Sequence, residues 1–161
     1  MKEKIEEMID EIGQKEGEVQ VLFICSGNIM RSPFAEYRAR QLLERKNITF
    51  KSGGVIYRNT RLSSETHRYL VGFGLQSKDL TSFRPMYIND FLEIFEEADL
   101  ILVMEENHLN YLENYIEKSF LLTEFVGETG DVLDPYFEGQ MDIIYNQLNE
   151  LVIKLVEILS E

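Results

Sequence analysis

Val19-Gln20-Val21-Leu22-Phe23-Ile24-Cys25 is a continuous apolar run, and Ser26-Gly27-Asn28-Ile29-Met30-Arg31-Ser32 separates it from Pro33. An unbroken run rich in β-branched residues suits a strand buried on both faces, as in a parallel sheet. Pro33 reads as the start of a helix, where its missing N–H costs nothing, and the helix continues through Ala35, Tyr37, Ala39, Leu42 and Leu43. The unit is therefore strand, short loop, helix.

The same alternation extends along the chain. Ile48-Thr49-Phe50-Lys51-Ser52 reads as a second strand ended by Gly53-Gly54, and residues 56–62 as a polar loop. Ser63 or Ser64 can cap a helix running to about Phe73, with Gly72 and Gly74 as its stop. A loop with Thr81, Ser82, Arg84 and Pro85 leads to a short helix from about Asp90 to Glu97. A third buried strand is expected from Asp99 to Met104, a helix over residues 105–116, and a brief fourth strand at Phe120-Leu121-Leu122. Residues 127–139 read as a loop. The last helix is the most regular, with Met141, Ile144, Tyr145, Leu148, Leu151, Val152, Leu155 and Leu159 at helical spacing. Strands alternating with helices imply an α/β fold with a parallel sheet covered on both faces.

Residues 1–17 carry Ile5, Met8, Ile9 and Ile12 at helical spacing, ended by Gly13 to Gly17. They are expected to be an N-terminal helical extension packed on one domain formed by residues 18–161. At 161 residues the chain is about one domain, large enough to bury a full core.

A single cysteine excludes an intrachain disulfide and a multi-thiolate zinc site, and a lone thiol suits a reducing compartment. Residues 1–18 include seven acidic side chains and resemble no signal peptide, and no apolar run approaches a membrane span. The cytoplasm is the expected location. The net charge of −13 argues against nucleic acid as a partner. Residues 31–84 nevertheless hold eleven of the sixteen Lys and Arg against four Asp or Glu. This segment either attracts an anion or simply carries solvated surface charge.

The decisive chemistry lies in the loop, where Cys25 and Arg31 stand six positions apart at a strand end and a helix start. Backbone N–H groups and the positive end of a helix dipole converge on such a loop and favour a bound dianion. The same field favours a thiolate at Cys25. Arg31 offers a planar fork for two phosphoryl oxygens. Gly27 permits close backbone approach, Asn28 tolerates a left-handed backbone, and Ser32 can donate to the sulfur. No GK[ST] motif is present, so the loop is not a Walker A nucleotide loop.

Residues 21–36, Val-Leu-Phe-Ile-Cys-Ser-Gly-Asn-Ile-Met-Arg-Ser-Pro-Phe-Ala-Glu, resemble the signature of low-molecular-weight protein tyrosine phosphatases. Asp134-Pro135-Tyr136 resembles the second hallmark of that family, and the resemblance spans residues 19–160. It implies a three-layer sandwich, a Rossmann-like phosphotyrosine phosphatase I fold, with a four-stranded parallel sheet of order 2-1-3-4 and helices on both faces. It further implies Cys25 as nucleophile, Arg31 as stabiliser of the transferring group and Asp134 as general acid, acting through a phosphocysteine on protein phosphotyrosine. Ser26, Gly27, Asn28, Ile29, Met30 and Ser32 would cradle the phosphate. Tyr136 would wall the substrate ring, with Tyr57 and Arg58 on the loop after the second strand, and Ser52 would support Asn28. No cofactor or metal is implied. The expected partner is a tyrosine-phosphorylated protein, with no nucleic acid or membrane, and the protein itself is expected to be a monomer or weak homodimer.

The chain departs from the family pattern at several places. Met30 stands where many members carry a second loop cysteine. Thioredoxin-coupled arsenate reductases of this fold need further cysteines, which are absent. Protein arginine phosphatases typically have Thr after the loop Asn, and here the residue is Ile29. The stretch from Ser77 to Pro85 lacks the His that often buttresses the loop, and His67 and His108 are expected to be surface or helix-packing residues. A protein arginine phosphatase, and a non-catalytic phosphate-binding adaptor, are the competing readings.

Overall fold

A computed structural model describes residues 1–43, 47–138 and 140–160. Four strands form one sheet: β1 (Val19–Cys25), β2 (Ile48–Gly54), β3 (Leu100–Val103) and β4 (Ser119–Leu121). Their order is β2-β1-β3-β4 and every pairing is parallel, with Val21 opposite Phe50 on one side and Leu100 on the other. The chain steps from β1 outward to β2, then returns to the far side of β1 for β3. The crevice beyond the carboxyl ends of β1 and β3 is thus the point where strand order reverses, the usual ligand position in such sheets.

Alternation along β1 divides the core. Val19, Val21, Phe23 and Cys25 face one side with Phe50, Leu100 and Leu102, beneath α2 (Arg31–Leu42), α3 (Ser64–Gly72) and α8 (Met141–Leu159). Leu22, Ile24, Ile101 and Val103 face the other, beneath α5 (Leu92–Glu97) and the 3-10 turns. Burial of each large side chain contributes about 1.5–3 kcal/mol, and Ile144, Tyr145, Leu148, Leu151, Val152 and Leu155 all lie inside on α8. Phe34 of α2 meets Tyr145 edge-on at 5.2 Å, and Tyr145 Oη bonds the buried Thr66 of α3. These contacts fix α2, and with it the loop that precedes it.

Helix α1 (Lys2–Gln14) buries Ile5 and Ile12, with Met8 and Ile9 half-buried against the same core, and it touches α8.

Several element boundaries differ from the expectation. β2 runs through Gly53 and Gly54 because these glycines serve close packing rather than termination. A Cβ on Gly53 would lie 2.3 Å from Ile88 Cδ1, and one on Gly54 would lie 2.9 Å from the Gly27 carbonyl carbon. Helix α2 opens at Arg31, two residues before Pro33. A short helix α4 (Ser77–Leu80) lies in the segment expected to be loop. Ile88–Asp90 is a 3-10 turn ahead of α5. Residues 105–116 form two 3-10 segments, Glu106–Tyr111 and Glu113–Lys118, instead of one α-helix. Strand β3 is one residue shorter at each end than expected, and β4 is shifted back by one residue because Leu122 already opens α6 (Leu122–Phe125). Pro135–Glu138 is a short helix, α7, within the expected 127–139 loop, and Gly139 falls outside the described residues. Among the described residues, no helix is long and apolar enough to cross a membrane.

Candidate active site

The loop from Cys25 to Arg31 folds as a cradle at the carboxyl end of β1. Asn28 takes φ +57°, and it is the one described non-glycine residue with positive φ. An Asn side chain tolerates this conformation by bonding locally. Here its amide is fully engaged: Nδ2 donates to Ser32 Oγ at 2.9 Å and to Ser52 Oγ at 2.8 Å, and Oδ1 accepts from the Met86 N–H at 2.8 Å. Ser52 in turn donates to the buried Glu36, which also pairs with Arg40. Burial raises the Glu36 carboxyl above its ordinary range, opposed by Arg40. An Asn28–Ser52–Glu36 chain thus reaches the loop from α2 and β2.

Cys25 is 2 % exposed and closes the floor of a cavity of about 410 Å³. Its sulfur lies 2.9 Å from Ser32 Oγ and receives the Asn28 N–H at 3.2 Å. No side chain caps the first turn of α2. Gly27, Ile29 and Met30 complete the rim of the loop.

Arg31 is the largest of the fully buried side chains. Nη1 is held at 2.6 Å by Glu105 Oε2 and at 2.7 Å by the Val132 carbonyl. Nη2 makes longer contacts, 3.3 Å to Ser26 Oγ and 3.5 Å to Asp134 Oδ2. The firmly held nitrogen fixes the guanidinium plane, and Arg31 lines the cavity. Asp134 lies at the cavity wall, and its Oδ1 accepts the Tyr136 N–H at 3.0 Å. That contact orients the carboxylate across α7.

Tyr57 and Tyr136, both exposed, stand at the cavity mouth with Arg58 and Asn59. The Arg58 guanidinium is occupied in a bidentate pair with Asp90, at 3.0 and 2.8 Å, and lies over Tyr87. It lines the cavity with its charge already matched. Asn59 donates to the Gly27 carbonyl at 2.9 Å and steadies the loop from outside.

His108, expected to be a surface or helix-packing residue, instead lies buried against the loop. Its imidazole is completely buried, with Nε2 beside Ser26 Oγ and Nδ1 accepting the Glu105 N–H. Burial, with help from the Arg31 charge, pushes its pKa down to about 3, so the ring is neutral. His67 is half-buried and bonds Ser77 Oγ. Glu105, His108, Asn59 and Glu36 escaped the sequence reading. The available signal for Glu105 and His108 was their position immediately after β3, at the ligand side of the sheet.

The model for low molecular weight phosphotyrosine protein phosphatase matches residues 20–161. The chain belongs to this family.

Relatives in this family include the low molecular weight protein-tyrosine-phosphatase PtpB of Staphylococcus aureus, 31% identical over 146 residues that cover 88% of this chain and 99% of the relative. A protein-arginine-phosphatase of Bacillus subtilis is 32% identical, with 83% of this chain and 89% of the relative covered. Among solved structures, a low molecular weight protein tyrosine phosphatase from T. tengcongensis superposes with a TM-score of 0.74 at 32% identity, covering 87% of this chain and 99% of that one. A mutant of YwlE from Bacillus subtilis gives 0.75 at 29% identity, covering 89% and 100%. As a phosphatase of this family, the chain carries the family's four-stranded parallel sheet.

Proposed function

We propose that this phosphatase hydrolyses phosphotyrosine in proteins, with Cys25 as nucleophile, Arg31 as clamp for the transferring phosphoryl group and Asp134 as general acid. The observation that carries the reading is the meeting of all three side chains at one cavity, with the sulfur at its floor. The thiolate attacks phosphorus, and an S–P bond forms as the P–O bond to the aryl group breaks. Asp134 gives its proton to the departing phenolate. Loop amides and Arg31 Nη2 take the charge on the equatorial oxygens. Water then attacks the phosphocysteine, Asp134 takes the water's proton, and the S–P bond breaks. The Ser32 hydroxyl, 2.9 Å from the sulfur, stabilises the departing thiolate.

Ile29 favours phosphotyrosine over phosphoarginine, since an apolar wall suits an aryl ring and offers a guanidinium no acceptor. The exposed rings of Tyr57 and Tyr136 support the same preference. The second reading, phosphoarginine hydrolysis, draws on the similarity to the Bacillus subtilis protein-arginine-phosphatase. Rates on matched phosphotyrosine and phosphoarginine peptides separate the two: faster phosphotyrosine hydrolysis is expected, and the reverse ranking contradicts the proposal. A non-catalytic adaptor would turn over neither. The single thiol supports a reducing compartment, the cytoplasm, as its place of work.

A further inference from the structure

A second, more open groove of about 640 Å³ runs beside the cavity that holds Cys25, and Ile29 and Asn59 line both. A peptide whose phosphorylated side chain enters the first cavity therefore carries its neighbouring residues over the second, since an extended chain advances about 3.3–3.6 Å per residue. The groove is walled by Arg61, His67, Arg68 and Ser64, and no carboxylate lines it. The nearest acidic residue in sequence, Glu65, is half-buried and accepts from Ser64 Oγ.

The cations here differ from those of the catalytic cavity. Arg31 is matched by Glu105 and Arg58 by Asp90. Arg61 is exposed and, among the described residues, makes no hydrogen bond or ion pair, and the one contact of the exposed Arg68 is with the Tyr69 ring at 5.2 Å. Two unmatched guanidinium groups therefore stand beside the phosphate cavity of a protein whose net charge is −13. On so acidic a surface a local positive groove selects among substrates, because the remaining surface repels acidic ones.

We infer that this groove is a subsite for a carboxylate side chain flanking the phosphorylated residue of a peptide substrate, read by Arg61 and Arg68. The inference rests on the proposal that the Cys25 cavity takes a phosphoryl group borne on a peptide. An exposed ion pair contributes up to about fivefold in affinity, and its effect is screened by salt.

The test compares kcat/KM of the full chain on phosphotyrosine peptides of one sequence whose flanking residues are Glu, Gln or Lys. The Glu peptide is expected to exceed the Gln peptide by about fivefold at low salt, mainly through KM, with the gap closing at high salt. In the double variant Arg61→Gln, Arg68→Gln the gap should close at every salt concentration, while hydrolysis of p-nitrophenyl phosphate is unchanged. In Arg61→Glu, Arg68→Glu the Lys peptide should become the better substrate. An equal Glu-to-Gln ratio in wild type and both variants overturns the subsite. Failure of the phosphotyrosine reading looks different: no phosphotyrosine peptide turns over, and the same flanking series on phosphoarginine then reads the subsite. Absence of turnover on both series overturns both proposals.

Discussion

His108 Nε2 lies 3.0 Å from Ser26 Oγ, in a completely buried position at the carboxyl end of β3. Because Nδ1 accepts the Glu105 N–H at 3.1 Å, the neutral ring carries its proton on Nε2 and donates to Ser26. Ser26 Oγ also receives Arg31 Nη2 at 3.3 Å, and Glu105 holds Arg31 Nη1. One imidazole thus ties a loop hydroxyl to the backbone of Glu105, the residue whose carboxylate holds the arginine. His108 acts as a positioning residue.

Replacing His108 by Phe strands Ser26 and Glu105 groups in a buried site, at a cost of about 1–3 kcal/mol. The expected result is a loss of about tenfold in kcat/KM on p-nitrophenyl phosphate, with partial rescue in His108→Gln, whose amide can still donate. Stability carries a second signature. An unfolded-chain histidine takes up a proton near pH 6.5, whereas folded His108 stays neutral down to about 3. The stabilisation is therefore complete above pH 6.5 and is lost as pH falls toward 3, at about 1.4 kcal/mol per pH unit. Denaturant melts across that window should show the wild type losing this advantage over His108→Gln; parallel curves would contradict the neutral buried ring.

Ser32 Oγ contacts the sulfur, while Asn28 Nδ2 donates to the same hydroxyl. Its own proton then has two acceptors in reach, the sulfur at 2.9 Å and the Gly53 carbonyl at 3.4 Å; in the proposed mechanism it bonds the sulfur as the S–P bond breaks. Ser32→Ala should lower kcat by about tenfold by slowing hydrolysis of the phosphoenzyme. Pre-steady-state traces should then display a burst of p-nitrophenol. A uniform loss without a burst would assign Ser32 to the first step alone.

The absent side chain of Gly54 is also part of the cradle. A Cβ there meets the Gly27 carbonyl carbon at 2.9 Å and the Asn28 nitrogen at 3.0 Å, and neither backbone atom can swing aside. Gly54→Ala is expected to cost about 1–3 kcal/mol in stability and to weaken inorganic phosphate inhibition by displacing the loop. Gly72→Ala is the control, since its Cβ meets nothing within 4 Å. Equal melting points and phosphate inhibition constants for the two variants would refute the close-approach argument.

Cys25 is the only cysteine of the chain, and Met30 occupies the loop position where a resolving thiol could trap a sulfenic acid as a disulfide. A sulfenic acid at Cys25 thus has no second cysteine of the chain to protect it from oxidation to the sulfinic state, which thiols do not reduce. Peroxide inactivation should be slowed by inorganic phosphate and should recover slowly and incompletely in dithiothreitol. Full, rapid recovery would contradict this.

What the sequence revealed depended on range. The strand, loop and helix from Val19 to Leu42 could be read because their signals are contiguous: a run buried on both faces, a turn and a helix start. The stripe of α8 from Ile144 to Leu159 follows the helical period just as directly. Of the loop's supports, Ser52 was expected from the family resemblance alone, and Glu105 and His108 were not legible. These two reach the loop only through strand order, which brings residues 74 and 82 positions apart into contact. Gly53 and Gly54 were misread because a stop and a close backbone approach ask for the same residue. Leu109, Leu112 and Tyr115 recur every third residue, a spacing shared by 3-10 and α-helical turns, so hydrophobic periodicity could not tell them apart.

The covalent state of Cys25 during turnover tests the account most directly. Acid-quenched enzyme, taken in the steady state with p-nitrophenyl phosphate and examined by peptide mass spectrometry, should carry a phosphoryl group on Cys25. Cys25→Ser should show no turnover, and Asp134→Ala should bind phosphate esters while turning them over far more slowly. Undiminished hydrolysis by Cys25→Ser, or a phosphoryl group found on another side chain of the wild type, would contradict it.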